Sequence, residues 1–243
     1  MINGVFTTIK IINSIPLFLK SHQQRLIEHT SAFHLPYPLN IENQIKNFIK
    51  QNKLQDSALR ITITKDSSEP LFEHRALPPS QTNVQVITVS DTRDENKIYK
   101  TTDRTINDQA RQLAKQQGAQ DAIFVQNGVL IESTIANIFS LNQKGQLITP
   151  PIGGRGLSGI TRQIIMEQTD VHEEEIPEIT TAPLVLVNCL RISKVTHVDV
   201  KKLSDGEELL QRIKILLNKA KRGVAGVGVP VERLQRSEAV GRG

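Results

Sequence analysis

A hexapeptide late in the chain, Gly154-Arg155-Gly156-Leu157-Ser158-Gly159, has the spacing GxGxxG, at which glycines let a backbone close on a phosphate. A short apolar strand precedes it and a helical pattern follows. Its unpaired N–H groups therefore fall at a helix start, with Thr161 and Arg162 adding a hydroxyl and a cation. A dinucleotide-binding βαβ unit is not what the context fits. The motif lies past residue 150, Pro150-Pro151 breaks the strand before it, and the neighbouring strands are hairpin-linked instead of crossover-linked. Residue types alone leave two readings: a phosphate cradle for some other ligand, or a loop whose glycines only turn the chain. Metal chemistry is poorly supplied. His22, His29, His34, His74, His172 and His197 show no HxxxH pairing, and the single Cys189 rules out an internal disulfide or a zinc site of several thiolates. No metal site is expected.

The elements that must carry these residues can be read from periodicity. Residues 4–12 are rich in Val, Ile, Thr and Phe and predict a strand closed by the Asn13-Ser14 turn. A helix follows, with Ser21 as its cap, Gln24 in the capping-box position and Leu26 and Ile27 opening its apolar face; Leu35-Pro36-Tyr37-Pro38 ends it. Ile41, Ile45, Phe48 and Ile49 mark a second helix. Strands at 59–64 and 84–89 flank a polar loop holding Glu73-His74-Arg75. Together these make a small α/β domain over residues 1–92, and the polar stretch 93–99 reads as a linker. The second domain, 100–221, opens with a helix near 104–117, with Ile106, Ala110, Leu113 and Ala114 inward and Gly118 at its C′ position. It continues with strands at 122–126 and 129–132 about the Asn127-Gly128 turn, then at 137–141 and 146–149. After the glycine loop come a helix at 160–168, strands at 184–188 and 192–198, and an amphipathic helix carrying Leu209, Leu210, Ile213, Leu216 and Leu217. Residues 222–243 have no usable period and read as a flexible tail.

The chain has 243 residues, 38% hydrophobic and 23% charged, enough for a core of ordinary size. No apolar run reaches a membrane span and Met1-Ile2-Asn3-Gly4 lacks the make-up of a signal peptide, so a cytoplasmic protein without membrane partners is expected. Net charge is +5, which invites a nucleic-acid reading. Its distribution argues otherwise. Residues 219–243 carry net +4 of it, and with seven Phe, two Tyr and no Trp there is no basic and aromatic stacking platform.

Five segments in order resemble the fold-type IV pyridoxal-phosphate enzymes, the class IV aminotransferase superfamily: Gly4-Val5-Phe6-Thr7-Thr8-Ile9-Lys10; Ser21-His22-Gln23-Gln24-Arg25-Leu26; Lys100 with Ala110-Arg111-Gln112; Glu132-Ser133-Thr134-Ile135-Ala136-Asn137-Ile138-Phe139; and Leu157-Ser158-Gly159-Ile160-Thr161-Arg162. Outside that context, Lys100 reads as one solvated lysine among many, Glu132 as a surface glutamate and Arg25 as a helix-surface arginine. The resemblance implies an α/β (α+β) architecture of two domains, a small N-terminal α/β domain and a larger strand-rich C-terminal one, and a homodimer. It further implies pyridoxal 5'-phosphate as cofactor. By resemblance Lys100 carries the cofactor and then moves the proton at the substrate's reacting carbon, work that suits an amine whose pKa yields readily to its surroundings. Glu132 pairs with the pyridine nitrogen, Arg25 grips the phosphate, and Gly159, Ile160 and Thr161 form the phosphate-binding turn.

Within the superfamily the residues resemble the aminodeoxychorismate lyases. Thr7 and Thr8 stand where aminotransferases carry an acid and a small or aliphatic residue, and in the lyases a threonine at the Thr8 position helps proton transfer. Asn188-Cys189-Leu190-Arg191 is similar to the lyase segment Asn-Ser-Leu-Arg, which implies a place for Cys189 near the phosphate. The implied reaction eliminates pyruvate from 4-amino-4-deoxychorismate to give 4-aminobenzoate for folate biosynthesis. Arg75, Arg104 and Arg191 are candidates for the substrate's carboxylates. A class IV aminotransferase acting on D-amino or branched-chain amino acids shares every cofactor residue, and an inactive cofactor-binding homologue is the third reading. Ile2-Asn3-Gly4 falls where the family has a Gly-Asp-Gly turn, so the opening strands of the small domain are expected to be missing.

Overall fold

The computed structural model describes residues 2–224 as a mixed α/β chain in two compact units. The first runs to Ser80 and takes in Tyr99–Asp103. Its strand β1 (Gly4–Ile12) buries Val5, Ile9 and Ile11 on one face, together with Thr7, while Phe6, Thr8 and Lys10 alternate onto the other. Asn13 and Ser14 both take positive φ and turn the chain into the two-residue β2 (Ile15–Pro16). Helix α1 (Leu19–Ala32) starts earlier than its sequence pattern indicates. Phe18, with φ 54°, swings the chain into the helix, so Ser21 lies inside the first turn and the capping box at Ser21 and Gln24 does not form. Helix α2 (Ile41–Gln51) buries Ile41, Ile45 and Ile49, and both helices close over the apolar face of β1 and of β3 (Ser57–Thr64). The sheet order is β2-β1-β3, with a fourth strand at the free edge of β3.

That last strand, β4 (Leu71–Ala76), corrects the expected polar loop. It pairs antiparallel with β3 from Ser57 opposite Ala76 to Thr62 opposite Leu71. As an exposed edge strand it has little apolar alternation to show: only Phe72 and His74, two residues apart, meet the ring of Phe48 on α2.

The second unit is Gln81–Ile98 with Arg104–Ala220. It begins with β5 (Asn83–Ser90), so the expected boundary at 92 moves back to residue 80, because β5 is hydrogen-bonded in parallel between two strands of this unit. Within the stretch 93–99, expected as a linker, Glu95–Ile98 forms a single 3-10 turn, and the chain leaves the second unit for the first between Ile98 and Tyr99. Then follow α3 (Thr105–Gln116), β6 (Asp121–Gln126), β7 (Val129–Ser133), β8 (Asn137–Leu141), β9 (Leu147–Thr149), α4 (Ile160–Gln168), β10 (His172–Glu173), β11 (Ile176–Pro177), β12 (Leu184–Val187), β13 (Ile192–Val198), β14 (Lys201–Lys202) and α5 (Glu207–Val224). Residues 222–224 thus extend α5, and the expected tail beyond them lies outside the described residues. The strands form one curled sheet in the order β10-β9-β8-β12-β13-β5-β6-β7-β11, with β14 beside β13. Val84, Ile123, Leu130, Ile138, Ile148, Leu184 and Val195, from seven different strands, fill its interior. Helix α3 covers the outer face of β5 and β6 through Ala110 and Ala114 against Ile87 and Phe124, while Leu113 stays 41% exposed. Small residues let a helix lie close to a sheet.

Candidate active site

The sequence-identified residues fall into two sets, one in each unit. In the first, Lys100 is fixed at its backbone on both sides. Phe6 donates its N–H to the Lys100 carbonyl at 2.9 Å, and the Lys100 N–H donates to Nδ1 of His29 at 3.1 Å. Its Nζ stands 4.7 Å from the centre of the Phe6 ring, and Arg60 lies over the same ring with Cζ at 3.9 Å. Because Phe6 and Thr8 alternate onto one face of β1 and Arg60 lies opposite Thr8 in register, Thr8, Arg60 and the Lys100 ammonium belong to the same side of the small sheet. Arg75 lies opposite Ala58 on that face, exposed on β4. Arg60 escaped the sequence reading. Its signal was the alternation Leu59, Ile61, Ile63 inward and Arg60, Thr62 outward.

One stripe of α1 presents His22, Arg25 and His29, all buried at the spacing i, i+3, i+7. Thr7 meets Nδ1 of His22 at 2.7 Å. Burial, then the charges of Arg25 and Lys100, push His22 well below its ordinary range and His29 from 6.5 to about 3. Both imidazoles are therefore neutral in the folded chain. An unfolded chain takes up their protons near pH 6.5 while the folded one does not, so the stability present above that pH falls as the pH drops toward 3. Urea midpoints measured from pH 7.5 down to 5 should decline, and His29→Asn should flatten the decline.

In the second unit Glu132, on β7, is 5% exposed. Its carboxylate accepts the Leu157 N–H at 3.2 Å, Nδ2 of Asn137 at 3.4 Å and Nη1 of Arg93 at 2.7 Å. Arg93 forks onto Asp91 through Nε at 2.9 Å and Nη2 at 3.0 Å, and its guanidinium lies 3.8 Å from the centre of the Phe124 ring. Lys97 reaches the same Asp91 at 3.1 Å. Burial raises Asp91, and the hydrogen bonds and charge of Arg93 outweigh it, leaving the acid below its ordinary range. Burial likewise works against the charge of Arg93, and its bonds to Asp91 and the charge of Glu132 hold it above the ordinary guanidinium value. Neither Asp91 nor Arg93 was singled out from sequence. Their polarity read as solvent exposure.

The glycine loop closes over Glu132. A Cβ on Gly156 would stand tightly, 3.0 Å from Glu132 Cδ, and one on Gly159 would collide with Oδ1 of Asn137, so Gly159 needs glycine for close approach. Gly159 caps α4, which leaves the first N–H groups of the helix, those of Ile160 and Thr161, without intrahelical acceptors. Arg162 turns away, to Thr149, the Pro150 carbonyl and Glu173. Cys189 lies half-buried in the turn between β12 and β13, which Asn188 Oδ1 closes by accepting the N–H groups of Leu190 and Arg191. Asn188 Nδ2 also donates to the Ile135 carbonyl at 3.3 Å, tying that turn to the segment after Glu132. Arg104 is a brace: its guanidinium donates to the Thr134 carbonyl at 2.8 Å, beside Asn107 at 3.1 Å. Thr134 in turn hydrogen-bonds Asp121, whose acid is pushed up by burial. Of the three arginines expected to meet substrate carboxylates, Arg75 belongs to the first unit and Arg104 and Arg191 to the second. Among the described residues no cluster could hold a metal ion, and no helix is long and apolar enough to cross a membrane.

The family model for class IV aminotransferases matches residues 4–193. A protein of Methanocaldococcus jannaschii described as a candidate branched-chain-amino-acid aminotransferase is 27% identical over 206 residues, 76% of this chain and 70% of that one. Among solved structures, a candidate 4-amino-4-deoxychorismate lyase from Legionella pneumophila superposes with a TM-score of 0.82 at 22% identity, covering 90% of this chain and 91% of its own. A hypothetical aminotransferase from Mycobacterium tuberculosis in a PLP-bound form gives 0.77 at 20% identity, over 91% of this chain and 90% of that one.

Proposed function

Because the chain belongs to the class IV aminotransferase family, we propose that it is a pyridoxal phosphate enzyme and, within that family, a 4-amino-4-deoxychorismate lyase that releases pyruvate and forms 4-aminobenzoate for folate biosynthesis. The residues fit the cofactor. Gly159 holds the loop too close for any Cβ, α4 offers N–H groups to a phosphate, and Glu132 supplies a buried carboxylate for a ring nitrogen. Lys100, Arg25, Glu132, Gly159, Ile160 and Thr161 would hold it, with Cys189 beside the phosphate. When bound, pyridoxal phosphate supplies an electron sink for the carbanion left by proton removal.

The chain's own residues do the rest. Lys100 Nζ takes the proton from the amine-bearing ring carbon. Thr8 relays that proton from the Lys100 ammonium to the departing enolpyruvyl oxygen as the C–O bond breaks, the enol so released becomes pyruvate, and aromatisation drives the step. Arg60 and Arg75, on the Thr8 face of the sheet, would meet a substrate carboxylate. The observation that carries the lyase reading is Thr8 on the same sheet face as the Phe6 ring and the Lys100 ammonium. Thr8→Val should lower kcat about 10- to 100-fold with KM little changed, and Thr8→Ser should recover most of it.

A second reading rests on the sequence relative named for branched-chain amino acids: a transaminase using the same cofactor residues. Purified protein incubated with 4-amino-4-deoxychorismate, and separately with leucine or D-alanine plus 2-oxoglutarate, separates the two. Production of 4-aminobenzoate and pyruvate supports the lyase; glutamate formation without 4-aminobenzoate overturns it. A homodimer goes with either reading and is checked by light scattering.

A further inference from the structure

The observations around Lys100 single out a residue with no assigned role. A lysine that must both carry a cofactor and move a proton has a long flexible stem, so the reach of Nζ depends on how firmly its backbone is held. The Lys100 carbonyl is held by the strand, through Phe6. Its N–H is held by a side chain, His29 Nδ1 at 3.1 Å. A backbone N–H only donates, so Nδ1 must carry the lone pair and the neutral ring its proton on Nε2. His29 is itself fixed: it meets Tyr99 edge-on with ring centres 5.3 Å apart, and Tyr99 meets Phe33 at 5.0 Å. Two turns earlier on the same stripe of α1, His22 meets β1 through the Thr7 hydroxyl. Helix α1 thus grips the strand and the lysine segment through two neutral imidazoles with Arg25 between them.

We infer that His29 is a positioning residue for Lys100, its Nδ1 fixing the lysine backbone so that Nζ keeps its station beside the Phe6 ring. This rests on the reading of Lys100 as the cofactor-bearing lysine. The requirement is for an acceptor at the δ position. Asparagine offers Oδ1 at that place, glutamine carries its oxygen one bond too far, and leucine fills the space with no acceptor.

The test compares wild type with His29→Asn, His29→Gln and His29→Leu. Lys100 amide exchange is followed in the cofactor-free proteins. The rate of pyridoxal phosphate attachment is read by borohydride trapping and peptide mapping. Wild type and His29→Asn should protect the Lys100 amide and attach within about threefold of each other, while His29→Gln and His29→Leu should lose protection and attach roughly 10-fold or more slowly. If His29→Leu does not fold, His29→Gln decides. Attachment at the wild-type rate in folded His29→Gln or His29→Leu overturns the inference and leaves the cofactor reading intact, as does a His29→Asn protein as slow as His29→Gln. Wild type that attaches nothing at Lys100 overturns the cofactor reading and this inference with it.

Discussion

Lys100→Ala yields a folded protein without the visible absorbance of attached pyridoxal phosphate and with turnover lower by about 10⁴-fold or more. Two losses combine in that figure. On the proposed reading the variant has no amine with which to carry the cofactor and no base at the substrate carbon, and groups that act as a unit do not divide their contributions. The fold should survive. The side chain's packing is against one face of the Phe6 ring, whereas the backbone bonds to Phe6 and His29 do not depend on side-chain identity. Lys100→Arg is the sharper control: it keeps a cation over the ring but stays protonated at every working pH. It should be as inactive as alanine and closer to wild type in thermal midpoint. Undiminished activity in either variant would remove Lys100 from the chemistry.

The largest effect on stability belongs to Arg93. The side chain of Asp91 is fully buried, and those of Arg93, Glu132 and Lys97 are 6%, 7% and 9% exposed, so four charges share one poorly solvated region. Removing one partner from such a group leaves the others desolvated and unpaired, at about 3–5 kcal/mol. Arg93→Ala strips the fork from Asp91, the bond from Glu132 and the cation from the Phe124 ring at once. Its thermal midpoint should fall by roughly 6–20 °C for a unit of this size. Arg93→Lys restores charge without the planar fork and should recover only part of the loss. The acid side follows from Asp91, which is held below its ordinary range. Its contribution is present above the ordinary value of 3.8 and is lost as the pH falls through the lower folded value. A variant with wild-type stability at pH 7 would show that the cluster stabilises nothing.

Both residues bear on how much of this protein is written locally in its chain. Periodicity located most of the elements, because a strand or helix declares its buried face through neighbours two to four residues away. Helix α4 and strands β1, β8 and β13 fall where the pattern puts them, and the positive φ of Asn127, Gly128 and Gly118 follows from turn chemistry alone. The glycine loop and the order of the five segments pointed to the family that the chain belongs to. Edge strand β4 was illegible for the complementary reason: a strand wet on one edge and most of one face has no apolar alternation to show.

What the tertiary structure decided are relations over long distances in the chain. Strand β5 looks the same from sequence whether it closes the small sheet or enters the large one; only its pairing with β13, over a hundred residues away, moves the boundary to residue 80. The polar run from Asp91 to Lys97 resembles a solvated linker until Glu132, thirty-nine residues beyond Arg93, completes a buried ion group. The two imidazoles of α1 became partners of Thr7 and Lys100 only when helix, strand and the segment at residue 100 came together. Apolar burial is encoded by spacing, because each residue pays its own transfer free energy. Burial of a charge or an imidazole depends on a partner, and the partner is supplied by the fold.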